Sequence, residues 1–299
     1  MSGLRACLEL ARLSNAPTCV TNVLVGAALV TTATNESGSV PGLPWVRVAL
    51  VSIAIVALYV AGMVLNDLLD VEVDRAERPG RPLPSGRVSI AVAWMIVIAC
   101  SAIALGVLVL LGIPAVVAGV ALLATIVGYD AVHKRLAASV VLMGLCRSLV
   151  YVVAAVACTW PIDDLAVRTR LIAFAATMGA YIIGLSVVAR LEAAPDGAPK
   201  KWPALVLPAI VGVPLIVFEP NRPALFVIGY VVTTLWLVAA ARHAMARPPR
   251  VPAAVMAWLA GICLVDATFL VHLGYWPVAL IAVACFGLTR WGHRYILGS

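Results

Sequence analysis

Asn66-Asp67-Leu68-Leu69-Asp70-Val71-Glu72-Val73-Asp74-Arg75, continuing through Arg78 to Arg81-Pro82-Leu83-Pro84-Ser85-Gly86-Arg87, is an island of charge in an otherwise apolar chain. Asp67, Asp70 and Asp74 stand at i, i+3 and i+7, so a helix running through them sets all three on one face, where they can converge on a single cation. The arginines at 75, 78, 81 and 87 cannot all be partners for those acids. Carboxylates that gather a divalent metal, next to guanidinium groups that grip oxyanions in bidentate fashion, describe a site for a metal-bound phosphate or diphosphate. A solvated loop with scattered charge is the plainer reading. It does not account for acids at helical spacing directly after about twenty apolar residues.

The elements that must hold this island are membrane helices. The chain has 299 residues, 63% of them hydrophobic and 12% charged, with a mean hydropathy of +1.06, far more apolar than a soluble domain, in which roughly a quarter of residues are charged. The formal charge of +7 fits loops rich in Lys and Arg on one side of a bilayer and does not call for nucleic acid as a partner. Seven cysteines lie scattered, mostly in apolar runs and without a Cys-x-x-Cys pair, and read as small core residues. Four histidines, 133, 243, 272 and 293, show no ligand spacing and are assigned no metal.

Apolar runs long enough to cross a bilayer occur near 17–34, 47–66, 89–111, 114–129, 139–158, 169–188, 203–218, 223–241 and 252–271, with a shorter one at 276–289. The prediction is an all-α bundle of about nine transmembrane helices, with a tenth open. Gly112-Ile113-Pro114 is the only punctuation between the third and fourth. The run after Arg5 and Arg12 is too long for a signal-peptide core and reads as a first span retained in the mature protein. Basic residues collect on alternate loops: Arg5 and Arg12, Arg75 to Arg87, Lys134 and Arg135, Arg190 with Lys200 and Lys201, and Arg242 to Arg250. By the positive-inside rule the N-terminus and these loops, the acidic island included, are cytoplasmic.

A weaker island follows the sixth span. Glu192 and Asp196 stand at i, i+4 with Lys200 and Lys201 after them, about 125 residues beyond the first island and on the same side. Two similar halves, roughly 1–136 and 137–299, could bring both loops to the mouth of one cavity. Pro195 disfavours helical geometry at Ala194, so a turn, or a surface loop with an unrelated acid pair, also remains open.

These residues resemble the UbiA superfamily of intramembrane prenyltransferases. The likeness rests on Asn66-Asp67-x-x-Asp70-x-x-x-Asp74, the Arg-Pro-Leu-Pro-Ser-Gly run after it, Tyr129 and Lys134 after the fourth helix, the loop at Glu192 and Asp196, and the opening Arg12-Leu13-Ser14-Asn15-Ala16-Pro17. It extends along essentially the whole chain as a single domain, 1–299, and lies nearest bacterial members, which places the chain in a bacterial plasma membrane. The second loop departs from the family's Asp-x-x-x-Asp in having Glu192 first and Pro195 inside.

The resemblance implies Mg2+-dependent transfer of an isoprenoid group from an allylic prenyl diphosphate to a small aromatic or lipid acceptor within the membrane. Asp67, Asp70 and Asp74 would hold one magnesium ion, and Glu192 with Asp196 a second. Arg75, Arg78, Arg81, Lys134 and Lys200 would contact the diphosphate, with Asn66 and Tyr129 beside it, and Lys134 would share in catalysis. A membrane terpene cyclase of the same fold stays open. So does a non-enzymatic transporter or lipid-handling protein, although its charges would be expected at mid-span.

Polar groups inside the spans are costly and mark function or internal bridges. Asn22, Arg147 and Asp266 are the candidates for acceptor recognition, with an Arg147–Asp266 bridge as the structural alternative and a helix–helix hydrogen bond as that for Asn22. Trp45, Trp160, Trp202 and Trp276, near span ends, read as interfacial anchors. Tyr59, Tyr151 and Tyr181, within spans, read as core, with the tail channel as the alternative.

Overall fold

The computed structural model describes residues 2–31, 42–133, 136, 138–191, 203–246 and 250–296. Its elements are helical throughout: α1 (Ser2–Leu10), a 3-10 turn (Leu13–Asn15), α2 (Ala16–Thr31), α3 (Trp45–Leu69), α4 (Val71–Glu77), α5 (Ile90–Leu111), α6 (Ile113–Val132), α7 (Ser139–Cys158), α8 (Leu165–Leu191), α9 (Pro203–Val217), α10 (Pro223–Met245), α11 (Val251–His272) and α12 (Trp276–Tyr295). All ten apolar runs are helices, and α1 and α4 are short additions. Among the described residues eight helices are long and apolar enough to cross a membrane. The α9 helix is shorter, at 15 residues, with Pro208 and Pro214 inside it. The chain is an integral membrane protein.

Backbone groups in hydrocarbon must be satisfied within their own segment, so breaks fall only where chemistry allows them. Gly112 separates α5 from α6 with φ +113, a conformation closed to side chains, and Pro114 follows in the first turn of α6. Ser89 caps α5 by accepting from the Val92 amide at 3.2 Å.

Burial sorts the helices. Of the first span, which includes α2, 83% is buried, and of α11 78%, whereas α5 is 11% buried and α6 and α10 22% each. Helices α2 and α11 therefore form the centre, and α5, α6 and α10 present apolar surface to lipid. Helix α2 packs on α3, α7, α11 and α12, while α3 pairs with α5 and α7 with α8. Trp45, Trp160 and Trp276 are exposed near span ends, as interfacial anchors should be. Tyr151 and Tyr181 are fully buried in the core.

Candidate active site

The acidic island sits where α3 passes into α4. Asp70 ends α3 at φ −93°, ψ −1°, yet the Asp70 amide still donates to the Asn66 carbonyl and the Asp74 amide to the Asp70 carbonyl, at 3.0 and 2.9 Å. The i to i−4 ladder thus survives the joint, and Asp67, Asp70 and Asp74 are all buried.

Each of these carboxylates meets a basic side chain. Arg12 Nη2 donates to Asp67 Oδ1 at 2.8 Å. Arg81 Nη1 donates to Asp74 Oδ2 at 2.6 Å and lies 3.7 Å from Asp67 Oδ1. His133 Nε2 stands 3.2 Å from Asp70 Oδ2. Arg12 reaches Asp67 from a left-handed backbone conformation, φ 44°, between α1 and the 3-10 turn, and Tyr59 OH donates to the Arg12 carbonyl at 3.1 Å.

These groups border a cavity of about 720 Å3 enclosed by α2, α3, α4, α6, α7, α8 and α11. Its mouth carries Asp70, Asp74, Arg78, Arg81, Asp130 and His133; its depths carry Ile55, Leu58, Leu122 and Val150. Between them Arg147 faces the space with its guanidinium donating to Asn22 Oδ1 at 2.8 Å, Thr18 Oγ1 at 3.0 Å and Cys19 Sγ at 3.5 Å. The alternative of a bridge between Arg147 and Asp266 is not met by a direct pair. Asn22 stands between them, donating from Nδ2 to Asp266 Oδ2 at 2.7 Å, and Thr21 and Tyr151 hydroxyls donate to the same carboxylate. Asp266 is wholly buried, so this network ties α2, α7 and α11 together and offers Arg147, with Cys19 beside it, to the cavity.

The profile of the UbiA prenyltransferase family matches residues 23–193. The chain belongs to that family. It is 37% identical over 103 residues to a digeranylgeranylglyceryl phosphate synthase of Methanopyrus kandleri, an alignment covering 34% of each protein. The aligned stretch thus spans about a third of that curated relative. A solved structure of a digeranylgeranylglyceryl phosphate synthase in membranes superposes with a TM-score of 0.55 at 18% identity, over 96% of this chain and 100% of that one. A UbiA homologue from Archaeoglobus fulgidus bound to GPP and Mg2+ superposes with a TM-score of 0.50 at 15% identity, over 94% and 99%. At such identities these structures establish the fold.

Within this UbiA fold the donor chemistry suits a hard cation. Among the described residues no three His, Cys, Asp or Glu side chains already converge as a metal cage, because arginines hold Asp67 and Asp74. Four buried carboxylates nevertheless gather at one end of the cavity, and Asp130 Oδ2 is buried with no partner. Oxygen ligands of this kind, completed by substrate phosphates and water, are what Mg2+ takes.

Of the residues singled out from sequence, Asn66, Asp70, Asp74, Arg78, Arg81, Tyr129 and Arg147 line the cavity. Asp67 lies just behind them, held by Arg12. Arg75 does not join: its guanidinium donates to exposed Glu72 at 2.6 Å, outside the lining. Its position one residue after Asp74 turns it to another face. Asn66 spends its amide on Asp130, donating to Oδ1 at 3.1 Å. Tyr129 stacks on His133, ring centroids 5.3 Å apart, and Tyr59 lines the cavity. Lys134, Glu192, Asp196, Lys200 and Trp202 lie outside the described residues.

Four further residues went unseen in sequence: Arg12 as an Asp67 partner, Asp130, His133 and Arg190. Arg190, at the cavity wall, donates from Nη2 to the His133 carbonyl at 2.8 Å and to Ser139 Oγ at 2.6 Å, fixing the α6–α7 turn. An acid inside an apolar span is itself a signal, and Asp130 carried it.

Proposed function

We propose that the protein transfers an isoprenoid group from an allylic prenyl diphosphate to a lipid acceptor bearing a glyceryl phosphate. The observation that supports it most is the buried acidic face, interleaved with arginines, at the mouth of a cavity whose depths are apolar. The acceptor class follows the names of the relatives, digeranylgeranylglyceryl phosphate synthases.

In this reaction the allylic C1–O bond breaks and its electron pair leaves with the diphosphate. The acceptor hydroxyl oxygen forms the new C–O bond at C1, and its proton passes to the departing diphosphate. Mg2+, when bound, neutralises charge growing on the leaving group. Arg78, at the mouth and making no ion pair with a described acid, is placed to grip the diphosphate, with Arg81 behind it. Lys134 and Lys200 belong to the same grip, and Glu192 and Asp196 to a second ion, by family resemblance. Ile55, Leu58, Leu122 and Val150 would sheathe the isoprenoid tail and keep water from the allylic cation. Arg147, deeper and already oriented by Asn22 and Thr18, would meet the acceptor's phosphate. The acidic mouth faces the cytoplasm by the charge of the loops.

The test is diphosphate release from geranylgeranyl diphosphate by purified protein, with Mg2+, in the presence and absence of geranylgeranylglyceryl phosphate. Release that requires both is expected; release without acceptor would indicate cyclisation or hydrolysis instead. Asp70→Asn is expected to abolish turnover while leaving the protein folded in detergent, and full activity in that variant would sink the assignment of the acidic face.

A further inference from the structure

The carboxylate at Asp130 lies at the mouth but outside the acidic motif, on a different transmembrane helix. It lies on α6, 5% exposed, at the cavity wall. Its Oδ1 accepts from Asn66 Nδ2 at 3.1 Å. Its Oδ2 is buried and meets no donor. The same histidine touches both acidic elements: His133 Nε2 is 3.2 Å from Asp70 Oδ2, and its Nδ1 is 3.0 Å from the Asp130 carbonyl oxygen. Asp130 and Asp70 thus flank one corner of the cavity from α6 and from the α3–α4 joint.

A buried carboxylate oxygen with no donor is costly unless it holds a proton or faces a cation. An apolar span has no packing reason to keep one there. Asn66 consumes one oxygen and so fixes the plane of the carboxylate, leaving the other without a donor in the cavity wall. Asp70 and Asp130 stand on either side of His133 at this corner, so a cation entering it would meet both. We propose that Asp130 is a ligand of the divalent cation at the cavity mouth, acting with Asp70, and that Asn66 is its positioning residue. The inference rests on the reading of the acidic mouth as a cation–diphosphate site. It adds to that site a ligand from a third helix, so that the cation would clamp α6 to the α3–α4 joint.

Metal binding itself, without turnover, is the measurement. Mn2+ is titrated into the purified full chain in detergent, alone and with inorganic diphosphate, and free Mn2+ is read by electron paramagnetic resonance. Asp130→Asn keeps an oxygen for Asn66 and removes the charge, so its melting temperature without metal should equal or exceed that of the unaltered protein. Its Mn2+ affinity is expected to fall by about tenfold or more, the range seen even for indirect partners of metal ligands. Asn66→Ala, which frees the carboxylate to turn, should weaken Mn2+ binding less, and it serves as the second variant if Asp130→Asn does not fold. Unchanged Mn2+ affinity in the Asp130 and Asn66 variants, with loss in Asp70→Asn, overturns the role of Asp130 alone and leaves a protonated carboxyl or a contact to the acceptor. Unchanged affinity in all three, Asp70→Asn included, overturns the reading of the mouth as a cation site.

Discussion

Arg81 ties two carboxylates of the acidic face together. It is buried, with Nη1 2.6 Å from Asp74 Oδ2 and 3.7 Å from Asp67 Oδ1. Removing one member of a buried pair strands the other charge, and here it strands a carboxylate beside a second one. Arg81→Met should therefore lower stability by about 3 kcal/mol, read as a drop in melting temperature in detergent. The drop should shrink when Asp74→Asn is added, since the stranded charge is then gone. Millimolar-range Mg2+ should restore part of the loss in Arg81→Met, because a cation replaces the missing guanidinium, and a loss indifferent to Mg2+ would count against cation binding at this face. The three aspartates were legible because their spacing records a helix face. Their partners were not. Arg12 reaches Asp67 through a left-handed residue that no periodicity announces, and His133 meets Asp70 across 63 positions of sequence.

Helices were the most legible level, since each span must satisfy its own backbone and so appears as an uninterrupted apolar run. What the runs could not convey is how closely two helices approach. Helix α2 meets α7 at Gly26, where a β-carbon would lie 2.6 Å from the Tyr151 carbonyl oxygen and 2.7 Å from Ala154 Cβ. Asn22, one turn earlier on the same face, accepts the Arg147 hydrogen bond across that contact at 2.8 Å. Gly26→Ala must push the helices apart, at about 1–3 kcal/mol for overpacking. The same displacement stretches the bond that orients Arg147, so the apparent KM for the acceptor should rise more than that for the prenyl diphosphate. Steady-state kinetics with each substrate varied in turn would show it. An equal rise in both would mean that Arg147 is not an acceptor contact.

Across the whole molecule, the cavity runs from charge to hydrocarbon. Ile55 on α3 lies eleven residues before Asn66, and Val150 on α7 lies eleven after Ser139, so each stands about 16 Å below its end of the cavity at the helical rise. No single segment encodes this gradient. It arises because the lining of α3 and α6 is charged or polar at one end and apolar deeper, with Arg147 of α7 set part-way down, and the fold sets those ends side by side. Helix-level reading therefore recovered the mouth, where charge is conspicuous, and left the depth unspecified, since any apolar residue of a membrane span looks alike. The gradient makes tail length a property of the deep wall. Val150→Phe adds bulk there and leaves the mouth untouched, so the second-order rate constant kcat/KM for geranylgeranyl diphosphate should fall about tenfold, the scale on which apolar pockets discriminate added carbons. Geranyl diphosphate, half as long, should be used as before. A parallel fall for both diphosphates would show that the tail does not reach this wall and leaves the cavity at a higher level.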